Sequence, residues 1–205
     1  MIRRMLDLAV SLAVLPVLVP LFALVCLAII IESPGNPFYG GWRVGKNGRL
    51  FRMWKFRTMV LHADKLGTSI TTRCDPRVTR VGWFLRKTKL DELPQFFNLL
   101  LGDLTLIGPR PESPNLAEQY TPEQKQVFAV KPGITGPVQL RYTDIEAEAI
   151  PDGQNAEKFY IESVLGQKVR MDIDYLKTRT WLSDCSVVLQ TIALIARAAI
   201  VAVRR

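Results

Sequence analysis

Asp91 and Glu92 stand side by side just ahead of Leu93-Pro94, with Arg86, Lys87 and Lys89 crowded into the residues before them. Proline is tolerated in a first helical turn, so the spacing predicts a helix N-terminus here, with Asp91 as its cap and Glu92 in the first turn. By itself such a pair caps the helix and answers its dipole. With cations beside it and oriented amides at the helix start, the same place suits a bound phosphate. A carboxylate attacking a phosphoryl group meets charge repulsion, so guanidinium groups or a metal ion must neutralise the phosphate oxygens.

Arg110 is a second candidate. It is held between Pro109 and Pro111, whose fixed φ angles stiffen the Gly108-Pro109-Arg110-Pro111 loop and would preorganise the guanidinium fork for phosphate. A plain surface turn is the alternative. Lys55 and Arg57, in Trp54-Lys55-Phe56-Arg57-Thr58-Met59, are either phosphate ligands or a basic rim against anionic lipid. His62 is the only histidine, which excludes a multi-histidine centre and leaves a carboxylate and water shell suited to magnesium. No P-loop, Gly-x-Gly-x-x-Gly or Gly-x-Ser-x-Gly pattern is present.

The elements that must position these groups are legible as patterns. Val78, Val81, Phe84 and Leu85 recur at helical spacing, as do Leu93, Phe97, Leu100 and Leu101, so two amphipathic helices flank the acidic pair. Lys46-Asn47-Gly48-Arg49 separates Trp42-Arg43-Val44 from Leu50-Phe51-Arg52-Met53-Trp54, a short hairpin signal. Breakers at 108–111, 131–137 and Pro151-Asp152-Gly153 make the middle of the chain rich in loops.

No charged residue occurs from Leu8 to Ile31, a run long enough to cross a hydrocarbon core. Its end, Ile29-Ile30-Ile31-Glu32, lacks the small residues of a signal-peptide cleavage site. Arg3 and Arg4 precede the run, while Arg43, Lys46, Arg49, Arg52, Lys55 and Arg57 follow it with no acidic residue from Ser33 to Ala63. Both flanks carry the cytoplasmic signal of the positive-inside rule, and a simple span can satisfy only one. Pro16 and Pro20 should bend the helix, so a re-entrant helix that enters and leaves by one leaflet fits both flanks, against the alternative of an ordinary span. The expected organisation is a re-entrant membrane helix over 1–32, a cytoplasmic catalytic domain over 33–182 and a C-terminal helix over 183–205. That last helix starts at Ser183-Asp184, and Arg197 within it favours an interfacial position over a span. The fold class is α+β, mainly α-helical, with a β-hairpin and interfacial amphipathic helices.

Composition sets the outer bounds. The chain has 205 residues, a net charge of +8 and 48% hydrophobic residues, which excludes a disordered basic tail and allows one compact unit. Cys26, Cys74 and Cys185 lie outside any Cys-x-x-Cys spacing, which argues against a disulfide framework or a structural zinc and for a reducing compartment. A basic nucleic-acid-binding module is the reading of another class, but charge beside an apolar helix is explained by lipid headgroups.

In order along the chain, Trp54-Lys55-Phe56-Arg57-Thr58-Met59, the stretch Arg86 to Asn98, Leu101-Gly102-Asp103, Gly108-Pro109-Arg110-Pro111 and Lys131-Pro132-Gly133-Ile134-Thr135-Gly136 resemble the bacterial sugar transferases known as monotopic phosphoglycosyl transferases. The resemblance spans nearly the whole chain. It implies transfer of a phosphosugar from a uridine diphosphate sugar to polyprenyl phosphate, releasing uridine monophosphate, as the first membrane step of glycoconjugate or exopolysaccharide assembly. It also implies Asp91 as nucleophile through a covalent aspartyl intermediate, Glu92 as its partner, and Mg2+ at Asp91 and Glu92. Phosphate would be held by Arg86 and Arg110. The partners implied are the UDP-sugar, polyprenyl phosphate and membrane lipids at the cytoplasmic face of the bacterial inner membrane, with a homodimer allowed and no nucleic acid. A noncatalytic membrane adaptor of the same fold is the rival within this resemblance. Two departures stand out: Val19-Pro20 replaces the family's Ser-Pro at the helix break, with Pro16 in addition, and Pro137-Val138-Gln139-Leu140-Arg141-Tyr142 replaces its usual loop, leaving Gln139 and Arg141 as nucleotide-sugar candidates.

Overall fold

A computed structural model describes residues 2–63, 66, 75–142 and 156–203. Cys74 and the Pro151-Asp152-Gly153 breaker lie outside the described residues. The chain is mostly helical. Helix α1 spans Ile2–Glu32 without interruption, with Pro16 and Pro20 inside it, so the expected helix-break-helix is a continuous helix in hydrogen-bonding pattern. Each proline removes one donor, yet the residues around it keep helical geometry. The breaker cluster from Ser33 to Pro37 ends α1 as its composition dictates.

Strands β1 (Phe38–Val44) and β2 (Leu50–Phe56) form the expected hairpin, antiparallel from Phe38 opposite Phe56 to Val44 opposite Leu50. The connection is longer than a two-residue turn: Asn47 and Gly48 both take left-handed φ values, 57° and 76°, within a 3₁₀ turn. Helix α2 (Arg80–Thr88) is capped by Thr79, whose hydroxyl accepts from the Gly82 amide. Helix α3 (Gln95–Leu101) follows and docks on the outer edge of β2 through Asn98. The Asn98 side chain is fully buried; Oδ1 accepts from the Trp54 amide at 2.9 Å, and Nδ2 donates to the Arg52 carbonyl at 2.7 Å and to Asp103 at 3.1 Å. One amide thus satisfies backbone groups that an edge strand leaves open.

A second strand pair has no counterpart in the sequence patterns. Strands β3 (Thr105–Ile107) and β4 (Gly133–Thr135) run parallel, with Thr105 opposite Gly133 and Ile107 opposite Thr135. Short helices α4 (Pro114–Glu118) and α5 (Pro137–Tyr142) flank them. Helix α6 (Ala156–Phe159) leads through a π-helical segment, Tyr160–Leu165, into α7 (Gly166–Thr178), and α8 spans Trp181–Val203. Thr180, not Ser183-Asp184, caps α8: Thr180 and Ser183 exchange side-chain and amide hydrogen bonds, and the helix begins two residues earlier than expected.

The apolar interior is split. Phe22, Val25 and Ile29 of α1 pack with Phe56 and Leu85, while Leu116, Tyr120, Val127, Tyr160, Val164, Leu165 and Val169 form a separate core among the later helices. The two ends of α1 both return to the rest of the molecule. Near its start, Arg4 donates to the carbonyls of Leu99 and Leu100, Asp7 accepts from Thr105 and the Leu106 amide, and Arg3 pairs with Asp184 of α8. At its other end the Glu32 carboxylate accepts from the amides of Arg80 and Val81, both at 2.8 Å. Between these ties Leu12, Val17, Val19, Leu24, Leu27 and Ile31 face outward, and both α1 and α8 are long and apolar enough to cross a membrane.

Asn98→Leu keeps the volume but strands the Trp54 amide and the Arg52 carbonyl, so it should lower folding stability by about 3 kcal/mol. Thermal and denaturant unfolding in detergent measure this; a loss below about 1 kcal/mol would show that the β2 edge finds other partners.

Candidate active site

The acidic pair lies in a 3₁₀ turn, Leu90–Glu92, between α2 and α3. Asp91 is therefore not the cap of α3: Pro94 occupies that position, and no side chain caps the helix. The cause is Lys89, whose left-handed φ of 60° ends α2 and inserts one extra tight turn before α3 starts. The Asp91 carboxylate is consequently not spent on α3 amides. It is 7% exposed. Burial pushes its carboxyl above the ordinary aspartate range, while Lys55, Lys89 and Arg86 draw it back down.

Glu92 has a different environment, although it is the next residue. Its Oε1 lies 2.6 Å from the Lys55 ammonium on β2 and 4.0 Å from the Arg110 guanidinium. Burial alone would raise it, but the Lys55 ammonium and the Arg110 guanidinium overcome that and hold Glu92 well below the usual carboxylate range. Arg86 reaches the site from α2, where its Nε donates to the Thr58 hydroxyl at 2.8 Å and its charge acts on Asp91. That approach needs Gly82: a Cβ there would sit 2.0 Å from the Thr58 carbonyl oxygen, so any other residue would push α2 away.

The Arg110 loop is held by equally close backbone packing. Gly108 and Gly133 meet across the β3–β4 pair, where a Cβ on Gly133 would lie 2.1 Å from the Gly108 nitrogen. The Gly133 amide donates to Pro109, and the Arg110 amide donates to Asp172 of α7 at 3.1 Å. This explains the two glycine-proline motifs together: they are the two sides of one contact.

Sequence reasoning brought Lys55, Arg86, Asp91, Glu92 and Arg110 forward as candidates, and the structure gathers these five. Arg57 is placed elsewhere. It is buried and its guanidinium donates to the carbonyls of Ser33 and Pro34, closing the end of α1. Gln139 is also buried and donates to the Gly133 carbonyl, which secures β4, whereas Arg141 is exposed on α5. Pro16 and Pro20 lie exposed within α1. Missing from the sequence reading is a buried polar cluster behind Arg110. Lys168, 3% exposed, donates to Tyr160 at 2.6 Å and approaches Glu112 at 3.4 Å; Tyr160 donates to Glu112, and Asp172 lies one turn beyond Lys168. No local signal marks it, because Arg170, Asp174 and Lys177 on the same helix are charged in the same way and are not buried.

No group of three or more His, Cys, Asp or Glu residues suited to a metal occurs among the described residues. Asp91 and Glu92 are oxygen donors of the kind magnesium takes, an ion that commonly binds one or two carboxylates and completes its shell with substrate phosphates and water.

A profile of the family described as bacterial sugar transferase matches residues 1–198. A UDP-glucose:undecaprenyl-phosphate glucose-1-phosphate transferase of Caulobacter vibrioides is 34% identical, over 93% of this chain and 68% of its own length. Its namesake in Escherichia coli is 34% identical over 94% of this chain, which spans 39% of that longer protein. A UDP-N-acetylgalactosamine-undecaprenyl-phosphate N-acetylgalactosaminephosphotransferase of Aeromonas hydrophila is 41% identical over 68% of this chain and 34% of its own length.

The lowered Glu92 contributes stability that is fully present above the unfolded-state value of about 4.3 and is lost as pH falls below it. Lys55→Met should remove that contribution. The gap in Tm between wild type and variant should be largest near pH 7 and should shrink as pH drops through about 4; a gap independent of pH would deny the ion pair this role.

Proposed function

The chain belongs to the bacterial sugar transferase family, and from that premise we propose that it moves a phosphosugar from a UDP-sugar to a polyprenyl phosphate. The observation that carries the reading is the contrast within the dyad: a desolvated Asp91 beside a Glu92 held ionised by Lys55, with Arg86 and Arg110 converging on them. A carboxylate stripped of water and raised in basicity is a better nucleophile than a solvated one. Asp91 attacks the β-phosphorus of the donor; the bond from that phosphorus to the bridging oxygen breaks, and uridine monophosphate leaves with the electron pair. A phosphate oxygen of the polyprenyl acceptor then attacks the same phosphorus, and the aspartyl oxygen departs.

Arg86 and Arg110 approach from α2 and from the β3 loop, so the phosphate charge is met from two sides before the reaction starts. Asp91 and Glu92 would also hold a magnesium ion, which when bound adds charge neutralisation on the phosphates. Lys55 keeps Glu92 anionic and in place. Arg57, tied to the end of α1, supports the site only through the backbone of the β2 exit.

The same reading includes a re-entrant α1 with the catalytic body on the cytoplasmic side. Arg4 and Phe22 are eighteen residues apart, about 27 Å along a straight helix. Yet Arg4 bonds to Leu99 and Leu100 while the Phe22 ring lies 5.8 Å from that of Phe97, all within seven-residue α3. That pair of contacts, with both basic flanks on the soluble body, supports a helix bowed through the Pro16–Pro20 stretch. α8 fits an interfacial place: Val187 and Thr191 pack inward, Thr191 on Thr135 at 2.6 Å, while Leu189, Ile192 and Ile195 face out. The units proposed are thus 1–32, 33–182 and 183–205.

Asp91→Asn keeps the size of the side chain and removes the anion, so folding should persist while labelling by a donor carrying radioactive β-phosphate stops. Label retained in that variant, or mapped to Glu92, would assign the nucleophile elsewhere. A cysteine introduced at position 2 should react with impermeant reagents only from the cytoplasmic side of oriented vesicles; reaction from the opposite side alone would replace the re-entrant helix with a span.

A further inference from the structure

Between Pro109 and Pro111, Arg110 owns the only backbone N–H of three consecutive residues. That single donor goes to Asp172 Oδ2 at 3.1 Å. Asp172 is 4% exposed, and its other oxygen has no hydrogen-bond partner among the described residues. A half-satisfied buried carboxylate is costly, and a neutral acceptor would serve a merely structural contact at lower cost. We propose that Asp172 is a positioning residue for Arg110, gripping the loop by its one available amide so that the guanidinium faces the dyad. This rests on the reading of Arg110 as a phosphate ligand.

The surroundings are consistent with a carboxylate that works through its charge. Lys168 of the same helix, Glu112 and Arg110 of the loop after β3, and Tyr120 beyond α4 are the titratable and charged groups that act on it. Burial pushes Asp172 up to about 7, although the Arg110 amide and the Lys168 charge favour the ionised form. The ionised form accepts the amide more strongly than the acid does. The grip on Arg110 therefore tightens as pH rises through neutrality.

Four full-length proteins test this in detergent: wild type, Asp172→Ala, Arg110→Ala and the double variant, each assayed for transfer from a UDP-sugar and titrated with UDP by calorimetry. Asp172→Ala should lower kcat/KM for the donor by about tenfold, whereas in the Arg110→Ala background it should change little. Equal loss in both backgrounds would overturn the proposal, because a role in general stability is felt with or without the guanidinium. Asp172→Asn keeps an acceptor oxygen, so it should recover most of the loss but abolish the rise of kcat/KM near pH 7. If the alanine variant does not fold, this pH profile decides, and a profile identical to wild type overturns the proposal. Wild type that binds UDP without transfer would refute the transferase reading and leave the coupling measurable on UDP affinity; wild type that does not bind UDP would overturn both.

Discussion

The buried amide of Asn98 sets the distance on which the rest of the site depends. It bonds to the backbone of Arg52 and Trp54 on β2, and the next residue on that strand is Lys55. Along the chain Asn98 lies six residues after Glu92, which stands in the 3₁₀ turn just ahead of α3. The 2.6 Å contact between Lys55 and Glu92 is therefore inherited from a rigid, planar group that fixes α3 against the hairpin. Since Asn98 also binds Asp103, the same side chain sets where β3 begins and, through β3, where the Arg110 loop emerges.

Two adjacent carboxylates with opposite electrostatic fates are what the packing achieves. Glu92 receives the Lys55 ammonium directly; Asp91 receives burial first and cations second. Neighbouring acids driven apart in this way take different chemical roles, one a fixed charge and the other a base or nucleophile. The cations come from β2, α2 and the β3 loop, so no single local segment carries the site. That dispersal explains why close backbone packing at Gly82, Gly108 and Gly133 matters as much as the charged side chains.

What was legible in the sequence follows from range. The apolar run of α1, the Asn-Gly hairpin, the two amphipathic helices and the dyad between them all depend on neighbours a few residues apart, and composition displays such patterns. The β3–β4 pair was invisible because each strand has three residues and the partners lie 28 residues apart in the chain. Asp91 was misplaced by a single left-handed residue, Lys89, a conformation that its side chain does not announce. Arg57 reads like Lys55 in sequence, and only the position of the Ser33 and Pro34 carbonyls, just past the end of α1, tells them apart. Asp172 and Lys168 belong to a buried network whose members come from distant segments, and nothing local separates them from surface charges on the same helix.

The ties at the start of α1 also carry a consequence for how the molecule comes into being. Arg4 finds its acceptors 95 and 96 residues later, and Asp7 finds its donors 98 and 99 residues later. Ribosomes lengthen a chain at about 5–20 residues per second, so the apolar helix waits seconds before the groups that anchor it exist. During that interval Arg4 and Asp7 lack the partners they hold in the folded molecule. The first turns of α1 are therefore made early and fixed late: they stay untethered until the segment from Leu99 to Leu106 has been made and folded.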